Sequence, residues 1–115
     1  MKGMKNPILV FFCILMIGNI ALWAMTIPKG QQIFEEWKCA LCHSVSTVDI
    51  KAKITSGESA GPDLVDLADS YETDWIIKFV RGEVTKEGHT HKKPFKGSDE
   101  ELQAIVDWLL EQKAE

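Results

Sequence analysis

Cys39 and Cys42 stand two residues apart, and His43 follows directly, in the run Cys39-Ala40-Leu41-Cys42-His43. Two thiols and an imidazole at this spacing support three chemistries. They can anchor a haem, each thiol adding to one vinyl group while the imidazole is held beneath the iron. They can form a dithiol redox pair, or they can contribute to a zinc site. Dithiol sites favour a βαβ setting and need no histidine directly after the pair, whereas here the pair follows an amphipathic helical pattern. A zinc site would have to recruit His89 and His91, and their His-x-His spacing is tighter than the three to five residues usual between zinc histidines. The favoured reading is therefore one covalently bound haem c, with Cys39 and Cys42 as thioether residues and His43 as the proximal iron ligand.

The surroundings of this run agree with it. The chain has 115 residues, and Lys2 and Lys5 precede an apolar run from Ile8 to Met25, the order of an export signal. Gly18 and Asn19 interrupt the run, which is close to the lower length limit for a membrane-spanning helix. A cut after Ala24 would leave Leu22 where a small residue is preferred. Residues 1–25 are thus read as a signal peptide or a single N-terminal membrane anchor, with cleavage and retention both open, and residues 26–115 as the domain. Cys13 lies within the apolar run and is read as an apolar residue.

The expected location is exported, in a bacterial periplasm, either soluble or anchored. Cys39 and Cys42 are then the only cysteines of the domain, and they close too small a loop to staple a fold. Of 13 basic and 17 acidic residues, Lys2 and Lys5 fall outside the domain, which leaves it at a formal charge of −6. A domain this acidic and without a basic stripe excludes nucleic acid as a partner.

The elements that must position the motif are helical. Ile33, Phe34, Trp37 and Leu41 share one face of a first helix that opens near Pro28 and runs into the cysteines. Residues 44–63 lack periodicity and read as a long surface loop. A short helical turn is expected near Leu64 to Ser70. A clearer helix follows from Asp74 to Gly82, with Trp75, Ile76, Phe79 and Val80 on its apolar face and Gly82 as its stop. Residues 83–97 are loop-like again. Ser98 and Glu101 form a capping box, and Leu102, Ile105, Val106, Leu109 and Leu110 repeat at helical spacing behind it. The fold class is all-α, with no strand, internal repeat or low-complexity tract.

On the haem motif near the start of the domain, the chain resembles the class I c-type cytochromes, from Gly30 to about Gln112. The resemblance implies a small fold of three to four helices wrapped around one covalent haem. Gly30 and Phe34 match the family's first-helix contact positions, Ile105 and Trp108 match the partner face on the last helix, and these two helices should cross. "GPDL" at Gly61 to Leu64 matches the loop in which a proline carbonyl accepts a hydrogen bond from the proximal histidine, which would make Pro62 the residue orienting His43. Trp75 and Trp37 are expected to line the haem or to hydrogen-bond its propionates, and Trp75 is counted among the haem-binding residues.

The chain departs from the family at one point. The family supplies a methionine sulfur to the iron from a loop before the last helix, and here no methionine follows Met25. Alignment on Ser98 puts that ligand near His91 or Lys92. An imidazole binds iron at neutral pH without losing a proton from an ammonium group, so His91 is the first candidate, His89 the alternative, and Lys92 and Lys93 rank behind them. An iron left five-coordinate or bound to water also stays open.

The expected function is an exported carrier of single electrons between a protein donor and a protein acceptor, with bis-histidine ligation and a lowered reduction potential. It is not expected to be an enzyme, although service within an oxidoreductase complex stays open, and no small-molecule substrate is expected. Residues 8–25 would provide any membrane contact. Lys86, Lys92, Lys93 and Lys96 would steer an acidic redox partner or simply form a solvated face. The rival reading is a haem-based sensor that binds a small ligand at an open or labile sixth position.

Overall fold

The computed structural model describes residues 26–115; the segment read as a signal peptide or anchor, Cys13 included, lies outside the described residues. Among the described residues are four α-helices: α1 (Lys29–Glu36), α2 (Leu67–Ser70), α3 (Thr73–Arg81) and α4 (Asp99–Leu110). No strand occurs among them, only the isolated bridges Val45–Ile50 and Lys86–His89, so the fold is all-α as expected. No described helix is long and apolar enough to cross a membrane.

The core forms where α1 crosses α4. Gly30 is buried against α4, and a Cβ at this position would collide with the Ala104 carbonyl oxygen and the Trp108 Cβ, so only glycine admits this approach. Phe34, on the same face one turn later, packs its ring against Trp108 at a centroid distance of 5.4 Å. Leu102, Ile105, Val106 and Leu109 are buried on that side of α4, while Leu110, expected among them, is only half-buried at the rim.

α4 begins as the sequence predicts. Ser98 Oγ accepts from the Glu101 N–H at 3.1 Å and Glu101 Oε1 accepts from the Ser98 N–H at 3.1 Å, which satisfies two amides the helix cannot pair itself. α3 likewise ends at Gly82, whose φ of 81° is the left-handed stop that glycine adopts freely.

Three sequence expectations need correction. α1 does not run into the cysteines: it ends at Glu36, Lys38 takes a left-handed φ of 59°, and the chain restarts as a 3₁₀ turn at Cys39–Leu41. That reversal breaks the α1 period before Leu41, which is 40 % exposed and borders the cavity beside the cysteines, although its spacing suggested a place on the α1 face. Pro28 caps α1 from just outside its first turn. Finally, the loop of residues 44–63 is more than surface. Val45 is fully buried within it, fastened by its N–H to the Ile50 carbonyl at 2.9 Å and by the Ala52 N–H to Ser44 Oγ at 2.9 Å.

Candidate functional site

The 3₁₀ turn places Cys39, Cys42 and His43 on one wall of a cavity of about 370 Å³. The His43 N–H bonds back to the Cys39 carbonyl at 2.9 Å, so the motif closes on itself before the loop begins. That loop is then tied to the motif at two points, Gly61 N–H to the Cys42 carbonyl at 2.8 Å and Leu64 N–H to the Ser44 carbonyl at 2.8 Å. Between these ties the Pro62 carbonyl faces His43, and Nδ1 of the imidazole lies 2.9 Å from its oxygen. A carbonyl can only accept, so Nδ1 carries the proton and Nε2 is left as a bare donor to a metal. Gly61 lines the same cavity, and a Cβ there would lie 2.5 Å from His43 Cε1 and 2.6 Å from Nδ1. The glycine makes room for the ring and the proline carbonyl aims it.

The opposite wall is the loop between α3 and α4. Glu87 and Gly88 both take positive φ, 52° and 80°, and the amides and carbonyls of Lys86 and His89 pair across them at 2.8 and 2.9 Å, a two-residue reversal. His89 lies on this reversal, exposed and outside the cavity lining. His91, two residues on, is half-buried and lines the cavity. Its Nδ1 lies 2.9 Å from the Lys93 carbonyl, so the same argument leaves its Nε2 bare. Both imidazoles therefore share one arrangement: the outer nitrogen bonded to a backbone carbonyl, the inner one free.

The two rings are parallel within 2° and their centroids lie 6.0 Å apart. Imidazoles bound on opposite sides of one metal atom at about 2.0–2.1 Å would have centroids roughly 6.3 Å apart, so the spacing fits a single iron between them. Burial pushes the pKa of both histidines below the usual value, more than the carbonyl bonds raise it, which biases each imidazole toward the neutral form that can bind a metal. Burial likewise raises the Cys39 thiol, against smaller lowering effects from its backbone hydrogen bond and from Lys93. A raised thiol pKa is the reverse of what a dithiol redox site uses. Among the described residues no three Cys, His, Asp or Glu side chains gather to hold a lone metal ion, and His89, which the zinc alternative would recruit, lies outside the cavity.

The remaining walls are apolar: Phe34 from α1, Leu64 and Leu67 around α2, Trp75 and Phe79 from α3, and Ile105 from α4. Trp75 is stacked between Tyr71 at 4.8 Å and Phe79 at 5.0 Å. Trp37 also lines the cavity, but its indole N–H points to Glu101 Oε2 at 3.4 Å, so that group is already engaged and is not free for a propionate. The rim carries Lys38, Lys86, Lys92, Lys93 and Lys96, with Glu58 paired to Lys92 at 3.6 Å.

One residue of the site escaped the sequence reading. Arg81, at the end of α3, donates to the carbonyls of Phe95 at 3.0 Å and Gly97 at 2.7 Å and to Asp99 Oδ1 at 2.7 Å, fastening the stretch that follows the His91 loop to α3. No motif marks it. The only signal was a lone arginine in a lysine-rich domain, and arginine presents the planar fork that three acceptors require.

A largely apolar cavity between two carbonyl-anchored imidazoles, with two thiols beside one of them, defines a class I c-type cytochrome domain with one covalent haem c. Residues 26–109 match the family model described as cytochrome c oxidase, cbb3-type, subunit III, and the chain belongs to that family. No curated protein and no solved structure matches the chain. It is accordingly a haem c electron-transfer protein.

Proposed function

We propose that this protein is an exported monohaem electron carrier whose iron is held by His43 and His91. The observation that carries the reading is the pair of parallel imidazoles 6.0 Å apart, each with Nδ1 on a backbone carbonyl. In this reading Cys39 and Cys42 form the thioether links, Pro62 orients His43, the Lys93 carbonyl orients His91, and Trp75 forms part of the apolar wall. When bound, haem c supplies a single-electron iron couple. The chain's own residues would surround it with apolar side chains and hold the His43 and His91 rings through their carbonyl bonds, so little would have to rearrange when the charge changes.

Replacing a thioether sulfur by a second imidazole removes the ligand that raises haem potentials in this fold, so a lowered potential is expected. An iron with both faces taken has no position for a substrate, which favours a carrier over an enzyme or a sensor. The lysines at the cavity rim, set in a domain of formal charge −6, suit encounter with an acidic patch on a redox partner. The family description names an oxidase subunit, and this supports a donor or acceptor that is a larger respiratory complex. Residues 1–25, with Lys2 and Lys5 ahead of the apolar run, favour export to a periplasm, with that segment either cleaved or kept as a tether.

Carbon monoxide tests the ligation. The reduced protein is expected to bind it slowly and incompletely, and the oxidised protein to give a low-spin bis-imidazole signal by electron paramagnetic resonance. Rapid, complete formation of the carbonyl adduct would instead establish the open-site sensor.

A further inference from the structure

The bond from His91 Nδ1 to the Lys93 carbonyl fixes one edge of the ring but leaves it free to tilt about that bond. A second contact removes this freedom: Phe79 meets His91 at a centroid distance of 5.6 Å and an interplanar angle of 76°, the edge-to-face arrangement that aromatic rings favour. Phe79 is itself held, stacked on Trp75 at 5.0 Å and 8°, and Trp75 on Tyr71 at 4.8 Å and 14°. Tyr71, Trp75 and Phe79 recur every fourth residue, so one side of α3 and the residues before it form a rigid aromatic stack ending on the distal imidazole.

We propose that Phe79 is a positioning residue that holds the His91 ring parallel to that of His43. The inference rests on the bis-histidine reading and deepens it. The filled π orbital of an imidazole stands perpendicular to its ring and acts on the iron d orbital lying in the same direction. Two parallel rings act on one orbital of a pair and split it from the other, whereas crossed rings act on one each and leave the pair nearly equal. The angle between the rings therefore tunes the electronic ground state of the iron without any change of ligand, a lever additional to ligand identity.

Electron paramagnetic resonance of the oxidised holoprotein at low temperature reads that splitting directly. The wild-type chain should give a rhombic low-spin spectrum. In Phe79→Leu, which keeps apolar bulk but no flat ring, the iron should stay low-spin while the rhombic signal is lost in favour of a single feature at large g. Phe79→Tyr should keep the wild-type signal, and so should Lys78→Ala, a change at the preceding residue of α3, which is exposed and lies outside the cavity lining. Should Phe79→Leu fail to fold, Phe79→Met is read in its place. An unchanged rhombic spectrum in the leucine or methionine variant, an equal shift in Lys78→Ala or Phe79→Tyr, or a large-g signal already in the wild type would each overturn the positioning role while leaving bis-histidine ligation intact. High-spin iron in the wild type, with rapid carbon monoxide binding, would overturn the ligation itself.

Discussion

The imidazoles of His43 and His91 face one another across the cavity as near equivalents, parallel within 2° and each bonded through Nδ1 to a carbonyl 2.9 Å away. This equivalence separates His91 from His89, which lies only two residues earlier but sits exposed on the Lys86–His89 reversal. His91→Ala is therefore expected to convert low-spin iron to high-spin and to speed carbon monoxide binding by at least about tenfold, since the barrier of displacing a ligand is gone. His89→Ala should leave both measurements at their wild-type values. Equal effects from the two variants would refute the assignment of His91.

Gly61 offers a test on the other face. A methyl group there would lie 2.5 Å from His43 Cε1 and 3.0 Å from the Cys42 carbonyl oxygen, and neither neighbour is a flexible side-chain end. Gly61→Ala must displace the ring or the Pro62 loop, at a cost of about 1–3 kcal/mol typical of overpacking. In a domain of this size that corresponds to a loss of roughly 4–8 °C in Tm per kcal/mol. The low-spin spectrum should change with it, because the displaced ring loses its carbonyl partner. A stable Gly61→Ala protein with a wild-type spectrum would mean that the loop is looser than these distances indicate.

What could be foreseen of this site depended on whether a local rule applied. The motif Cys39 to His43 carries its chemistry in its spacing, and the capping box of Ser98 with Glu101 starts α4 where a local signal says it should. The crossing at Gly30 followed from resemblance and from the same steric logic. Val45 was missed because burial inside an aperiodic loop leaves no period to detect, and Leu41 was misplaced because the period was continued across the reversal at Lys38. The Lys93 carbonyl that holds His91 could not be foreseen at all, since a backbone acceptor has no side-chain signature. Alignment on Ser98 already ranked His91 ahead of His89, but the local reason for their different placement, one lining the cavity and the other exposed, is the reversal made by the positive φ of Glu87 and Gly88, which no sequence period announces.

Arg81 and Asp99 make a pair whose two halves should behave differently. Arg81 is mostly buried, with its guanidinium on two carbonyls, while the side chain of Asp99 is 99 % exposed. Removing the arginine strands two acceptors and frees the stretch from Phe95 to Asp99. Removing the aspartate loses only a solvated ion pair. Arg81→Ala is expected to cost about 2–4 kcal/mol in denaturant unfolding, in keeping with lost hydrogen bonds to a charged group. Asp99→Ala should cost less than about 1 kcal/mol. Comparable losses from both variants would show that the ion pair, and not the carbonyl clamp, is what matters.

Glu101 ties this region to acid stability. Its carboxylate accepts from the Ser98 N–H at 3.1 Å and from the Trp37 indole at 3.4 Å, and these bonds, the backbone one foremost, hold its pKa below the ordinary carboxylate value. A carboxyl whose folded pKa is depressed binds fewer protons folded than unfolded. Its stabilising effect is thus fully present above the unfolded pKa of about 4.3 and disappears as the pH falls through the folded value. Glu101→Gln removes that titration while keeping a side chain that can still accept from Ser98. Urea midpoints measured from about pH 7 down to pH 2.5 should show the wild type ahead of the variant at neutral pH, with the two curves converging below about pH 4. Curves that stay parallel throughout would place the acid sensitivity elsewhere.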